Sequence, residues 1–353
     1  AAGVSVPLLA GGAALTAKFV ENNMKPVYNG PVIYAADAMD GLNSALKYIV
    51  KSQESRLPDS ASFSFGKPAQ RPGTHDRLAQ SAPASRLSVS GHSDRYRPES
   101  VPVPKDLERH FVGDCGLEEL FGHMDQDLFN LRFLKLKKND VEKTGETKKI
   151  VDAVKAEAVR GKIIKPRGAY RFFRVDADGD SLPFYGPDGK VVETVEFQRQ
   201  HDAERLCMTD FFAPHGSGGE YAALLVANCG EGVAEFAASE RKKGNYLRSY
   251  IMEALALSLA EAFAEVLHYR IRQDWGFAEP RSETPLHKVH YRGRRYSFGY
   301  PSCPDLSGQK KLFNLLRPED DVKVKLTDNF MMDPEAAVSA FALHNPKAKY
   351  FYI

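Results

Sequence analysis

The feature that most constrains this chain is an apolar period of four residues running through the stretch 240–273. Leu247, Ile251, Leu255, Leu259, Phe263, Leu267 and Ile271 recur at every fourth position, and Tyr250, Ala254, Ala262 and Val266 widen the stripe. Side chains three and four apart share a helix face, so the spacing predicts one helix of about nine turns with an apolar side that needs a core to bury against. Glu261, Glu265, His268 and Arg272 fall at i, i+4, i+7 and i+11 on a different face, where they can meet one another or a ligand. The default reading of such a charged face is a solvated, salt-bridged surface.

The rest of the chain supplies what that helix packs on. At 353 residues there is room for two or three domains. Residues 1–50 read as the end of an alternating α/β unit: a strand at 4–9, a turn at Gly11 and Gly12, a helix at 16–22 and a second strand at 31–35. Residues 51–103 shift to Ser, Pro, Arg and Ala, a composition that buries too little apolar surface to offset chain ordering, and read as a flexible linker. From 104 to the end the pattern is globular, with helices expected at 117–133 and 147–160 and strands at 169–175 and 221–226.

Charge and cysteine usage narrow the function classes. The 48 Lys and Arg stand against 46 Asp and Glu, a net charge of +2 that lacks the basic excess left by nucleic-acid binding. Cys115, Cys207, Cys229 and Cys303 form no CxxC pair, so neither a zinc knuckle nor a disulfide framework is expected, and a reducing, cytoplasmic setting fits. The longest apolar run, 4–15, is interrupted by Pro7, Gly11 and Gly12 and falls short of the roughly 20 residues of a membrane span. It also lacks the basic flank of a signal peptide.

Three stretches could carry chemistry. The segment 291–304, YRGRRYSFGYPSCP, is dense in Gly, Pro, Arg and aromatics, and is expected to be irregular rather than helix or strand. Its guanidinium groups could fork onto a carboxylate or phosphate, or simply face solvent. YAALLVANCGEG at 221–232 imitates the nucleotide-binding turn of a Rossmann methyltransferase, but the further βα units that such a fold requires do not follow it. HGSGG at 215–219 is similar to an oxyanion-hole loop, yet the chain has no GxSxG nucleophile elbow, and an ordinary turn is the better reading.

Four motifs in order, RRYSFGYPSCPD (294–305), LFNLLRPE (312–319), KLTDNFMM (325–332) and AVS with HNPKAKYF (337–339, 344–351), resemble the successive signatures of the activation domain of cobalamin-dependent methionine synthase. KPRGAYRFF (165–173), TDFFAP (209–214) and AEAFAEVLH (260–268) resemble the same domain, so the likeness covers nearly everything from 104 onward. VPLLAGGA (6–13) and GPVIY (30–34) look like the last stretch of the cobalamin-binding domain.

The resemblance implies an α+β fold with an antiparallel sheet and a long core helix, behind a partial, Rossmann-like α/β remnant. It implies that the domain brings S-adenosylmethionine to cobalamin that has been oxidised to the inactive cob(II)alamin state, while a flavoprotein supplies an electron. Arg295 then takes the ligand carboxylate, Glu261 and Asp125 are acids for its ammonium and sulfonium, and Gly299, Tyr300, Tyr350 and Phe351 line the site. Asp125 could alternatively be a helix cap, and Phe351 a core aromatic. Gly11, Gly12 and Ala38 are the residues carried over toward cobalamin. No protein nucleophile and no protein-bound metal is expected. The DxHxxG loop that supplies the family's lower cobalt ligand is missing, as are the homocysteine and folate modules, which implies a fragment of a longer protein or one partial product of it. The expected partners are the cobalamin-binding domain of the same enzyme and the flavoprotein, with no nucleic acid and no membrane. The alternative from another class is a non-catalytic S-adenosylmethionine sensor or docking module.

Overall fold

The structure, a computed structural model, describes residues 6–11, 20–35, 44, 100–136, 141–201, 204–217, 219–280 and 284–353. The chain divides into two compact units, 1–83 and 84–353. In the first, β1 (Leu8–Gly11) and β2 (Val32–Ala35) pair in parallel, Leu8 beside Val32 through Gly11 beside Ala35. The strand expected at 31–35 is present as β2, and the one expected at 4–9 starts only at Leu8 and runs to Gly11. The expected helix at 16–22 falls largely outside the described residues, and Val20–Met24 form one wide π turn. Residues 51–99 of the expected linker also lie outside them.

The second unit runs β3 (Arg109–Val112), α1 (Leu117–His123), α2 (Gln126–Arg132), α3 (Val141–Arg160), β4 (Arg167–Val175), β5 (Ser181–Tyr185), β6 (Val191–Glu196), β7 (Glu220–Asn228), α4 (Val233–Lys242), α5 (Tyr246–Asp274), β8 (Arg294–Tyr296), α6 (Gly308–Leu316), β9 (Lys325–Leu326), β10 (Met332–Asp333) and β11 (Ala337–Leu343). β9 and β10 pair with each other. The main sheet has the order β6-β5-β4-β7-β11-β8, and β3 joins β4. Every pairing in it is antiparallel. This is the expected α+β architecture.

The central strands are buried on both faces, and their period of two divides them between two cores. Tyr170, Phe172, Ala223, Leu225, Val338, Ala340 and Ala342 join α5 in one core. Phe173, Leu224, Val226, Phe341 and Leu343 pack with Phe211, Leu312 and Phe313 in the other. The helix stripe is the wall of the first core: Ile251, Leu255, Leu259, Phe263, Leu267 and Ile271 are all fully buried.

Three expectations need correction. The long helix is two helices, α4 and α5, parted where Gly244 turns to φ +80°. Leu247 and Tyr250, 49% and 37% exposed, lie on the first turns of α5, so the buried stripe starts at Ile251. The single helix expected at 117–133 is also two, because the Asp125 carboxylate accepts the backbone N–H of Leu128 at 2.9 Å and starts a new helix there. The third correction is β8 itself, a strand inside the segment expected to be irregular. Arg294, Arg295 and Tyr296 pair with Leu343, Ala342 and Phe341 of β11. Among the described residues, no helix is long and apolar enough to cross a membrane.

Candidate functional site

Strand alternation decides where the two arginines of β8 go. Tyr296 sits beside Phe341 and stacks on it at 5.7 Å, on the face of the second core. Arg295 sits beside Ala342, which belongs to the first core, so it shares the sheet face on which α5 lies. Its Nη2 donates to Glu265 at 2.9 Å and lies 3.6 Å from Glu261. Arg294, one residue off, donates instead to the carbonyls of Tyr291 and Gly293 at 2.9 and 2.8 Å.

The charged face of α5 is therefore not a solvated surface. Glu261 keeps an exposed side chain, but Glu265 retains only 20% of its exposure. His268 and Arg272 are 3% and 1% exposed. Burial pushes the Glu265 carboxyl above its ordinary value and Arg295 offsets only part of that rise. Burial also drives His268 well below its ordinary value, with Arg295 and Arg272 adding to the effect, so it is a neutral imidazole. Charged residue types signal solvent by default, whereas here β8 and the chain after α5 fold back over them.

Two adjoining hollows meet at this cluster. One, of about 330 Å³, is lined by Glu261, Arg295, Tyr296, Tyr300, Val338 and Tyr350 among others. The second, of about 400 Å³, shares Glu261, Tyr300 and Val338 with it and adds Asp125, Glu265 and Glu335. Together they join two arginines, Arg295 and Arg132, four carboxylates and the exposed rings of Tyr300 and Tyr350. The Nη1 atom of Arg295 is buried and, among the described residues, has no hydrogen-bond partner. A buried guanidinium N–H left unmatched costs free energy, so the cleft lacks an acceptor that a bound anion would supply.

The walls are stitched by backbone contacts. Gly299 adopts φ +86°, a left-handed conformation that a side chain disfavours, and its N–H donates to Cys303 at 2.9 Å to close the turn that presents Tyr300. The Tyr350 hydroxyl donates to the Arg295 carbonyl at 3.0 Å, and its ring meets Tyr296 edge-on at 5.3 Å. Phe351 lines the first hollow, but its ring is 6% exposed and packs near Phe211 at 6.0 Å. Its N–H donates to Ser302 Oγ, which donates in turn to its carbonyl. It is chiefly a core aromatic that fixes the Tyr350 backbone.

Of the residues singled out in the sequence, Arg295, Glu261, Tyr300, Tyr350 and Phe351 line one hollow, and Asp125 lies on the adjoining one while also capping α2. The sequence places Glu265 on the same α5 face but gives it no ligand role, and it does not single out Glu335. Glu265 stood one turn from Glu261 on the same face, a signal available in the sequence; Glu335 had none. Gly11 ends β1 in the first unit, and Gly12 and Ala38 lie outside the described residues. No group of three or more His, Cys, Asp or Glu side chains could hold a metal among the described residues.

The two look-alike motifs resolve into packing. β7, which leads into Gly230-Glu231-Gly232, is antiparallel to both neighbours, so no parallel Rossmann crossover exists there. A Cβ on Gly232, at φ +84°, would fall 2.4 Å from the Ile163 carbonyl, which explains the glycine without a phosphate. His215 sits in a turn, with Nδ1 3.1 Å from Asp176.

Comparison with known proteins agrees with the fold. The methionine synthase of Mycobacterium tuberculosis (strain ATCC 25618 / H37Rv) is 29% identical over 391 aligned positions, which take in 98% of this chain and 32% of that protein. That of Mycobacterium leprae (strain TN) is 28% identical, with the same coverage. The chain thus spans about a third of the length of the curated relatives it matches. A crystal structure of the MetH reactivation domain bound to AdoHcy superposes with a TM-score of 0.67 at 26% identity, covering 75% of this chain and 89% of that one. Residues 127–353 match the family described as vitamin B12 dependent methionine synthase, activation domain, and the chain belongs to that family.

Proposed function

We propose that this domain binds S-adenosylmethionine in the cleft between α5 and β8 and presents its methyl group for the reductive remethylation of cobalamin within a longer methionine synthase. The observation that carries the reading is the buried, unpartnered Nη1 of Arg295, set beside carboxylates and exposed aromatic rings in one cleft. S-adenosylmethionine has the matching parts. Its carboxylate takes the guanidinium, its ammonium and sulfonium take Glu261 and Asp125, and its adenine takes the ring surface of Tyr300 and Tyr350. The crystal structure of the related reactivation domain was solved with AdoHcy, which lacks only the methyl and the sulfonium charge.

The chemistry asks the protein for positioning rather than for acid, base or nucleophile. The methyl is already activated by the positive sulfur, and the acceptor when present supplies the cobalt chemistry. This chain's residues hold the donor, exclude water from it and balance its charges. The cobalamin would be carried by the cobalamin-binding domain of the same enzyme and the electron delivered by a flavoprotein. Titration calorimetry of the chain with S-adenosylmethionine and with S-adenosylhomocysteine tests the reading. One-to-one binding that Arg295→Ala weakens is expected. Absence of binding by either ligand would overturn it, and binding without methyl transfer to an added reduced cobalamin domain would favour a sensor instead.

A further inference from the structure

Arg295 has two acidic neighbours of different kinds. Glu265 lies 2.9 Å from Nη2, with a side chain largely withdrawn from solvent. Glu261, one turn earlier on α5, stands 3.6 Å from the same nitrogen and is well exposed. A charge-assisted contact below 3 Å is a formed hydrogen bond, and one at 3.6 Å is only a loose ion pair. A guanidinium is a rigid planar fork, so fixing Nη2 also fixes where Nη1 points. The buried His268 ring lies one turn further along α5 and stands 4.9 Å from the Tyr291 ring.

We infer that Glu265 is the positioning residue of this site: it holds Arg295 by Nη2 so that Nη1 meets the ligand carboxylate, and leaves Glu261 free to turn to the ligand's cationic centre. The inference rests on the binding reading above and deepens it. It separates two glutamates that look equivalent on one helix face. Glu265 acts through Arg295 and does not touch the ligand, whereas Glu261 does. The division also balances charge, since the guanidinium then lies between one fixed carboxylate and the incoming one while Glu261 faces the ammonium and sulfonium.

A double-mutant cycle on S-adenosylmethionine affinity tests it, read by calorimetry on the folded chain with near-ultraviolet circular dichroism as the fold control. Glu265→Leu removes the acceptor and should weaken binding by about tenfold, the usual worth of a charge-assisted contact. Glu265→Gln keeps an oxygen acceptor in the same place and should recover most of that loss. In the Arg295→Ala background Glu265→Leu should cost nothing further, because there is no guanidinium left to position. Equal losses from Glu265→Leu with and without Arg295 would overturn the inference and leave Glu265 a structural residue. So would wild-type affinity in Glu265→Leu while Arg295→Ala still weakens binding. If Arg295→Ala itself binds as tightly as wild type, the binding reading fails and this inference with it. Should Glu265→Leu fail to fold, Glu265→Asp, which draws the carboxylate back by one methylene, takes its place, with an expected loss of about threefold that the Arg295→Ala background abolishes.

Discussion

Helix α5 contributes Glu265 and Arg272, about two turns apart, to two arginine–glutamate pairs, and the pairs are built to opposite plans. At the C-terminal end Arg272 is closed: Nε donates to Glu279 at 2.8 Å, Nη2 also binds Glu279, Nη1 binds the Arg292 carbonyl, and the guanidinium lies 4.8 and 4.7 Å from the rings of Phe277 and Tyr291. The backbone N–H of Arg292 completes the Glu279 carboxylate at 2.9 Å. Two turns earlier, against Glu265, Arg295 is open, with one formed bond, one loose ion pair and one buried nitrogen unmatched among the described residues. A buried pair with all three guanidinium nitrogens engaged ties chain segments together, and one with a nitrogen left over has a donor to spare for a further acceptor. The closed pair fixes the chain after α5, and that chain leads directly into β8 and the open pair.

The largest effect expected from this contrast is at the closed pair. Arg272→Ala strips Glu279 of its partner and two rings of their packing, and should cost about 3 kcal/mol in denaturant unfolding, as breaking a buried pair does. Ligand affinity per folded molecule should change far less. If it falls as far as stability does, the two pairs are one unit and the contrast fails.

Arg295→Ala should act the other way round. Losing a hydrogen bond to a charged partner is worth roughly 1.5 to 3 kcal/mol, which at about 1.4 kcal/mol per tenfold is a ten- to hundredfold drop in S-adenosylmethionine affinity by calorimetry. In an irregular segment, as expected for 291–304, the loss would end there. The strand position and the buried Glu265 beneath it add a stability cost of about 1 kcal/mol, held small because an orphaned glutamate can take up a proton. Arg295→Lys should recover only part of the affinity, since an ammonium cannot reproduce the two-pronged plane. Arg294→Ala is the internal control. Its guanidinium serves backbone carbonyls on the opposite strand face, so an affinity loss beyond about twofold would show that the alternation of β8 has been misassigned.

What could be read in advance follows from range. The α5 stripe was legible because apolar burial is written locally, as a period, and Leu255, Leu259 and Phe263 need no distant partner to declare their side. The start of α2 was legible only as an alternative, since Asp125 reads equally as cap and as ligand acid, and it does cap. β8 was not legible. Three residues, Arg, Arg and Tyr, carry no apolar alternation, and their strand is created by β11, nearly fifty residues on. The same distance hid the role of Glu265: its type announces a surface group, and only the folding back of β8 buries it. Arg295, Tyr300 and Tyr350 were legible through family resemblance rather than through pattern, Glu261 through both, and Glu335 through neither.

The smallest expected effect, and the sharpest on the contrast, is in the sign of the pH dependence. Both glutamates are pushed up by desolvation from an ordinary value of 4.5, but at Glu279 the hydrogen bonds from Arg272 and the Arg292 backbone outweigh burial and bring it below, whereas at Glu265 burial wins and it stays above. A raised value means that the folded state holds the proton more tightly than the unfolded chain. Glu265 therefore contributes stability that is fully present below the ordinary value and lost as pH rises through its raised one. Glu279 contributes stability that is present above the ordinary value and lost as pH falls through its lowered one. Unfolding free energies of the wild type, Glu265→Gln and Glu279→Gln, measured across the acid range, isolate each contribution by difference. Relative to wild type, Glu265→Gln should gain as pH rises above about 4.5, and Glu279→Gln should lose as pH rises toward it. Difference curves of the same sign would show that the two pairs share one electrostatic plan, and the leftover nitrogen of Arg295 would then be no guide to where the ligand sits.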